Sequence, residues 1–326
     1  MLLLAAIATW ISQIEVVKSA GMSPVVLGIV VGMIFGNTLP VGALERLKPG
    51  TTFSVKYILR TAIIFYGFRI TFQNIIAVGA PGFLVSIIMV ASTLLLGIFL
   101  GKKLFKMDAD LAILTACGSA ICGAAAVLAT ESVLKAEKHK SVVAVSTVVL
   151  FGTISMFVYP ALMHLGLLNM TSEAFGIYIG GSVHEVAQVV VSGNAVSEAA
   201  ANSGIIVKMT RVMMLVPLLL ALGFFIVKKN KGIPGHSEKK LPIPYFVLGF
   251  ILVAGINSLN LFPQSTVALI TTADTFLLTM AMCALGMETN FSRFRTAGKE
   301  PIYLAGLLFI WLLVGGFLVT KLVTCI

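Results

Sequence analysis

The stretch Leu111 to Leu134 reads LAILTACGSAICGAAAVLATESVL. It is apolar enough to sit in a membrane, yet Cys117-Gly118-Ser119-Ala120-Ile121-Cys122-Gly123 puts two glycines and a serine at its middle. An uninterrupted spanning helix would carry Leu or Ile there. A helix broken at membrane depth survives only where protein or a water-filled cavity satisfies the freed backbone groups. Such a break leaves N–H groups, and the positive end of a helix dipole, aimed at the bilayer midplane. Transporters hold a solute or an ion in this way. Phe175 to Gly193, FGIYIGGSVHEVAQVVVSG, has the same character, because Gly180-Gly181-Ser182 interrupts an apolar run and His184-Glu185 follow inside it. Aligning Gly118-Ser119-Ala120 with Gly181-Ser182-Val183 continues into Ala125-Ala126-Val127 opposite Gln188-Val189-Val190. Two related breaks predict a duplicated site. The fold class that follows is an all-α polytopic membrane protein with inverted repeats, in which two discontinuous segments, 111–134 and 175–193, broken or re-entrant, meet near the midplane.

Outside these stretches the composition points the same way. The chain has 326 residues, 58% hydrophobic and 11% charged, with a mean hydropathy of +1.04, which marks an integral membrane protein. Several apolar runs approach the spanning length of about 20 residues. No long soluble segment separates them, so residues 1–326 read as one transmembrane domain with no room for a catalytic or nucleic-acid-binding unit. The net charge of +10 falls mostly in short links between apolar runs, as positive-inside anchoring predicts, and not in a patch for nucleic acid. Cys117, Cys122, Cys283 and Cys325 lack the paired spacing of a zinc site and read as packing residues, so no metal or cofactor is expected. MLLLAAIATW at the start has no basic leader and reads as a first span rather than a removable signal. The expected location is the plasma (inner) membrane, crossed many times.

Taken in order, Met1 to Ala20 is a weak span spoiled by Gln13, Glu15 and Lys18, and Pro24 to Gly36 is short and glycine-rich. A link from Asn37 to Lys56 precedes a third span, Val55 to Thr71, which carries Arg60 and Arg69. After a turn at Gly79-Ala80-Pro81-Gly82, a fourth runs from Phe83 to Leu100. Basic links then flank the first broken segment, with Lys102, Lys103 and Lys106 before it and Lys135, Lys138 and Lys140 after it. If both links are cytoplasmic, the segment enters and leaves on one side as a re-entrant hairpin. Half of its residues at 1.5 Å each give an arm of about 18 Å, just past the middle of a core about 30 Å thick. Ser141 to His164 then crosses outward, and the second broken segment lies between Leu165–Ala174 and Asn194–Ser203, whose charged residues are Glu173 and Glu198. It predicts a hairpin from the outer side. Ile205 to Val227 crosses inward to the basic link 228–240, the boundary between repeat halves, and Pro244–Leu261, Ser265–Leu285 and Tyr303–Val323 complete the spans, with Arg293, Arg295 and Lys299 in the last inner link. A second internal match pairs Tyr66-Gly67-Phe68-Arg69-Ile70-Thr71-Phe72 with Leu285-Gly286-Met287-Glu288-Thr289-Asn290-Phe291, each followed by a proline (Pro81, Pro301) and a strong span. In this topology the copies are inverted, the architecture of alternating access.

Several side chains then stand out. His184 and Glu185 follow a backbone break directly, so they are candidates for proton coupling, against a bland reading in which a carbonyl satisfies the His. Lys208 and Arg211 lie three residues apart on one helical face and would line an anion path or anchor at the membrane edge. Arg69 is either an anion partner or a snorkelling anchor. Gly118, Gly123, Gly181, Ser119 and Ser182 offer backbone and hydroxyl donors at the breaks, and Gln188 shares a face with His184. Glu131 reads as a cap. No second His supplies a metal site, and no Gly-x-Ser-x-Gly elbow or phosphate loop is present, which argues against an enzyme or an ATP-driven pump.

Cys117 to Val127, Gly180 to Gly193 with His184-Glu185-Val186-Ala187-Gln188, and Val207 to Pro217 with Lys208 and Arg211 together resemble the YeiH family of bacterial inner-membrane proteins, named for sulfate export. The likeness covers nearly the whole chain. It implies membership of the broad cation:proton antiporter and anion transporter superfamily, with inverted repeats and crossing discontinuous helices, which opposes the hairpins that the charge pattern supports. It also implies a secondary transporter of a small anion such as sulfate or sulfite, with proton or sodium coupling. The alternatives are an organic-acid transporter or cation:proton exchanger of the same architecture and, from another class, an anion channel. Membrane lipid, the anion and a coupling ion are the expected partners, with a homodimer as the expected assembly.

Overall fold

The computed structural model describes residues 1–15, 17, 23–229, 245–289 and 299–324, and every regular element among them is helical. The helices are α1 (Leu2–Ser12), α2 (Pro24–Thr38), α3 (Val41–Phe53), α4 (Leu59–Tyr66), α5 (Phe72–Phe99), α6 (Ala109–Ala120), α7 (Ala124–Leu134), α8 (Lys138–His164), α9 (Ser172–Ser182), α10 (Val186–Asn194), α11 (Glu198–Met213), α12 (Leu215–Lys229), α13 (Tyr245–Ser258), α14 (Gln264–Glu288) and α15 (Lys299–Thr324). Among the described residues, five helical stretches are long and apolar enough to cross a membrane: Phe72–Leu104, His139–His164, Glu198–Phe224, Gln264–Glu288 and Lys299–Thr324. Most of the basic link 228–240, and Arg293 and Arg295 of the last inner link, lie outside the described residues.

Several boundaries differ from the sequence reading. The stretch 37–56 is mostly helix α3, continued through a π turn, Ser54–Ile58, into α4. Its Glu45, Arg46 and Lys48 are exposed side chains of that helix, so the charges that suggested a link decorate its solvated surface. The first helix stops at Ser12, just before Gln13 and Glu15. The fourth span begins at Phe72 and not after the glycine turn, because Thr71 and Asn74 form a capping box there and the helix passes Gly79 with a kink. Ile205–Val227 is two helices, since the Ser197 hydroxyl accepts from Ala200 N and starts α11 at Glu198, and α11 ends at Met213.

The helices form two bundles. One holds α1–α4, α13 and α14, and the other holds α5–α12 and α15; they meet chiefly where α2 touches α10 and where α13 touches α5 and α11. The first bundle is built around α2 against α14. Gly28, Gly32 and Gly36 fall on one face of α2, and any Cβ on the last two would strike the backbone of Cys283 and Met287 on α14, while Gly286 faces the backbone of Ile29 and Met33. Lipid tails are as apolar as Leu, so helices in a membrane gain most from this close backbone approach. The second bundle packs a buried core of Tyr159, Phe175, Tyr178, Val189 and Met209 around the two broken segments.

Candidate functional site

Residues 121–123 separate α6 from α7, and residues 183–185 separate α9 from α10. The structural equivalence therefore pairs Ala120 with Ser182, one residue away from the sequence alignment. In each segment the two arms run antiparallel. Gly118 packs on Val127, Leu111 and Leu134 share a cluster with Leu114, and Lys140 Nζ lies 2.8 Å from Asp108 Oδ1, so both ends of the first segment are together. The Asp108 side chain also accepts from Asp110 N and Leu111 N at the start of α6. Its hydrogen bond with the Lys140 ammonium, first, and those helix N–H groups hold its carboxyl below the ordinary 3.8. In the second segment, Gly176 and Gly180 of α9 meet Gly204 and its neighbours in ascending order along α11. Val189 and Gly193 of α10 meet Gly204 and Ala201 in descending order. A ring nitrogen of His164 at the end of α8 lies 2.9 Å from Ala195 O at the end of α10.

The two hairpin tips are joined by α11. Lys208 Nζ donates to Ile121 O at 2.7 Å and to Val183 O at 2.6 Å. Arg211 donates through Nε to Ala120 O (2.7 Å), through Nη1 to Val183 O (3.1 Å) and through Nη2 to Ser119 O (2.8 Å). Both cations are fully buried. Their acceptors are the last two carbonyls of α6 and the first carbonyls beyond α6 and α9, where a helix presents about half a negative charge and unpaired C=O groups. The pair thus pins two helix C-termini to each other. The heads of Lys208 and Arg211 lie inside this junction, away from the membrane edge.

On the other face of the tips sits Glu185. Its carboxylate accepts from Ala124 N, the first residue of α7, at 3.2 Å, and caps α10 reciprocally with Gln188, whose Oε1 accepts from Glu185 N at 3.0 Å. One carboxylate therefore serves both helix N-termini. Gly123 at the first tip has φ +73°, a left-handed conformation natural to glycine, and a Cβ there would collide with the Glu185 side chain. Glu185 and Ala124 are half-buried, while Ala125, Leu128 and Glu288 are exposed. Glu288 is near enough for the two carboxylates to repel.

His184 is buried and, among the described residues, neither ring nitrogen has a hydrogen-bond partner; the Ser119 hydroxyl is likewise unpaired. Ser182 Oγ bonds Tyr178 O in its own helix. Gly118 packs on Val127 and Val148, and Gly181 on Val85. Arg69 stands apart from the tips, at the end of α4. Its Nη2 donates to Thr271 O and Thr275 Oγ1, both at 2.6 Å, and its Nε lies 3.5 Å from Asp274 Oδ2 on α14. Sequence reasoning missed Tyr159, Tyr66, Asn202, Asp274 and Gly152, the last of which leaves room for the Gln188 amide. Only Asp274 carried a signal, as a lone acid inside the apolar run from Ser265 to Leu285.

The comparisons with known proteins agree with one another. Residues 1–305 match the family described as Conserved hypothetical protein 698. A UPF0324 membrane protein of Bacteroides thetaiotaomicron is 48% identical over 319 residues, covering 97% of this chain and 95% of its own. One from Bordetella pertussis is 49% identical over 323 residues, 99% and 93% of the two chains. The UPF0324 inner membrane protein YeiH of Escherichia coli K12 is 48% identical over 310 residues, 95% of this chain and 88% of that one. No solved structure gives a significant match. With a helical membrane architecture throughout the described residues and this likeness along almost its full length, the chain belongs to the UPF0324 family of inner-membrane proteins.

Proposed function

We propose that the protein is a secondary active transporter of a small anion, with sulfate or sulfite export as the favoured role. The basic end, with Lys102, Lys103, Lys106, Lys135 and Lys140, is taken as cytoplasmic. The first hairpin then enters from the cytoplasm and the second from outside, their tips meet near the midplane, and the two copies are inverted. Two bundles with a narrow seam supply rigid bodies that can rock about a fixed site, as alternating access requires.

The observation that carries the reading is the charge balance at the tips. Two helix C-termini contribute roughly one negative charge together and two helix N-termini roughly one positive charge. Lys208 and Arg211 outweigh Glu185. Before Glu288 on α14 is counted, the tips therefore keep a surplus of about one positive charge, which a monoanion, or one face of a sulfate, would offset. Protonation of Glu185 would raise that surplus, so proton and anion would favour each other's binding.

A second reading rests on Glu185 itself. It already occupies the place where an anion would meet the N-termini, with the Glu288 carboxylate near enough to repel it. A cation bound between these carboxylates would make the protein a cation:proton exchanger. Uptake by proteoliposomes from a panel of labelled anions and sodium, under imposed pH and sodium gradients, separates the readings. Saturable, gradient-driven anion flux supports the first; sodium flux without anion flux supports the second; non-saturating anion conductance makes the protein a channel.

A further inference from the structure

Away from the hairpin tips, one buried group stands unused. Asp274 is 1% exposed within α14, and neither carboxylate oxygen receives a hydrogen bond from the described residues. Its ion pair with Arg69 is loose, 3.5 Å between Oδ2 and Nε, and that Nε makes no hydrogen bond either. Arg69 is held from its other end by Thr271 and Thr275, so it stays docked on α14 whatever the charge of the acid. The guanidinium lies over the Tyr66 ring, 5.1 Å from its centroid. The Tyr66 hydroxyl then donates to Asn202 Oδ1 at 2.9 Å, on α11 of the other bundle. Asp274, Arg69, Tyr66 and Asn202 thus form one chain from the interior of the first bundle across the seam to the helix that carries Lys208 and Arg211.

We propose that Asp274 is a proton-binding site of the first bundle, and that its charge, relayed by Arg69 and Tyr66, sets whether the Tyr66–Asn202 contact holds the two bundles together at that end. A carboxylate opposite an arginine in an apolar bundle persists either as an ion held by Coulomb attraction or as a neutral acid. Binding the proton cancels the pull on the Nε side of Arg69 while its Nη2 bonds remain. The guanidinium then swings on that pivot, and the ring stacked beneath it shifts with its hydroxyl. The other charged groups around the chain are few. α1, α2 and α13 bring no charged side chain, Glu45, Arg46, Lys48, Lys56 and Arg60 on and around α3 and α4 are exposed, and from α11 Glu198 acts on Tyr66. The site is separate from the pair at the tips and uses the two-bundle reading only for its consequence.

Infrared spectroscopy of the purified protein without any solute tests the proton directly. Between mildly alkaline and mildly acid buffer, a carbonyl band of a protonated buried carboxyl should appear in the parent and be lost in Asp274→Asn. The consequence is read by labelling Ala199→Cys, half-buried one turn before Asn202, with a membrane-impermeant thiol reagent in a cysteine-free background. Relative to Asp274→Asn at each pH, which corrects for the reagent's own pH dependence, the parent should label about tenfold more slowly in alkaline buffer and equally fast in acid. Tyr66→Phe keeps the acid but cuts the bond to Asn202, so the band should stay while labelling becomes fast at both pH values. It also serves if Asp274→Asn does not fold. A band that titrates unchanged without Asp274, a parent lacking any such band, or Tyr66→Phe labelling like the parent overturns the proposal. Because no solute is present, failure of the transport reading would leave these results standing.

Discussion

Lys208 and Arg211 place two cations in the protein interior with main-chain carbonyl oxygens as their hydrogen-bond acceptors. A hydrogen bond to a charged group contributes roughly 1.5–3 kcal/mol, and stripping it from a buried acceptor adds a desolvation penalty. Arg211→Met, which orphans the carbonyls of Ser119 and Ala120, should lower thermal stability in detergent more than Lys208→Met, which orphans that of Ile121; Val183 keeps one donor in either variant. Equal losses would mean that the count of bonds does not set the strength of the junction. Gly123→Ala combines a left-handed backbone, costing about 1–2 kcal/mol, with a clash on Glu185, so it should lose more stability than Gly118→Ala, which meets the Val127 and Val148 methyls from an ordinary helical backbone. At this scale the sequence made residue types legible and partners illegible. His184, Glu185, Lys208 and Arg211 stood out because charges are rare in apolar runs. Nothing in their spacing said that α11 would aim two of them at helix ends some ninety residues away in the chain.

The two hairpins and the α2–α14 seam are the elements that decide the architecture. The re-entrant reading of both segments predicts sidedness: a cysteine replacing Glu137 should label from the cytoplasm and one replacing Val196 from outside, and labelling of both from one side would require a crossing segment. Asp108 at the mouth of the first hairpin has its carboxyl lowered by Lys140, so its contribution is present above the ordinary 3.8 and is lost as pH falls through the lower folded value. Asp108→Asn should therefore flatten the loss of thermal stability in acid below that point, by a small amount because the side chain is half exposed. Gly32→Leu should separate α2 from α14 and cost far more than Gly42→Leu, where a side chain meets open space. The breaks were legible because Gly and Ser stand where Leu belongs. Helix α3 was not, because amphipathic charge on a surface helix and charge in a link look alike over so short a stretch.

At the scale of the molecule, two bundles share a narrow seam with Glu185 beside it, and the predicted coupling follows from that placement. Glu185→Gln mimics the protonated carboxyl, so it should strengthen anion binding, measured by calorimetry, and flatten its dependence on pH; an unaltered pH profile would return Glu185 to a capping role. The division into bundles was not legible in sequence, since α13 and α14 return to pack with α1–α4 across a long separation that no periodicity encodes. The carbonyl grip on Lys208 and Arg211 has one more consequence. Added electrolyte weakens attraction between exposed ions, with a screening distance of about 8 Å at physiological ionic strength, but a buried contact with neutral oxygens has no ionic atmosphere to collapse. The junction of the two tips should hold equally in dilute buffer and in concentrated salt, so that any sensitivity of solute binding to ionic strength belongs to the solute's own contacts and not to the scaffold that shapes them.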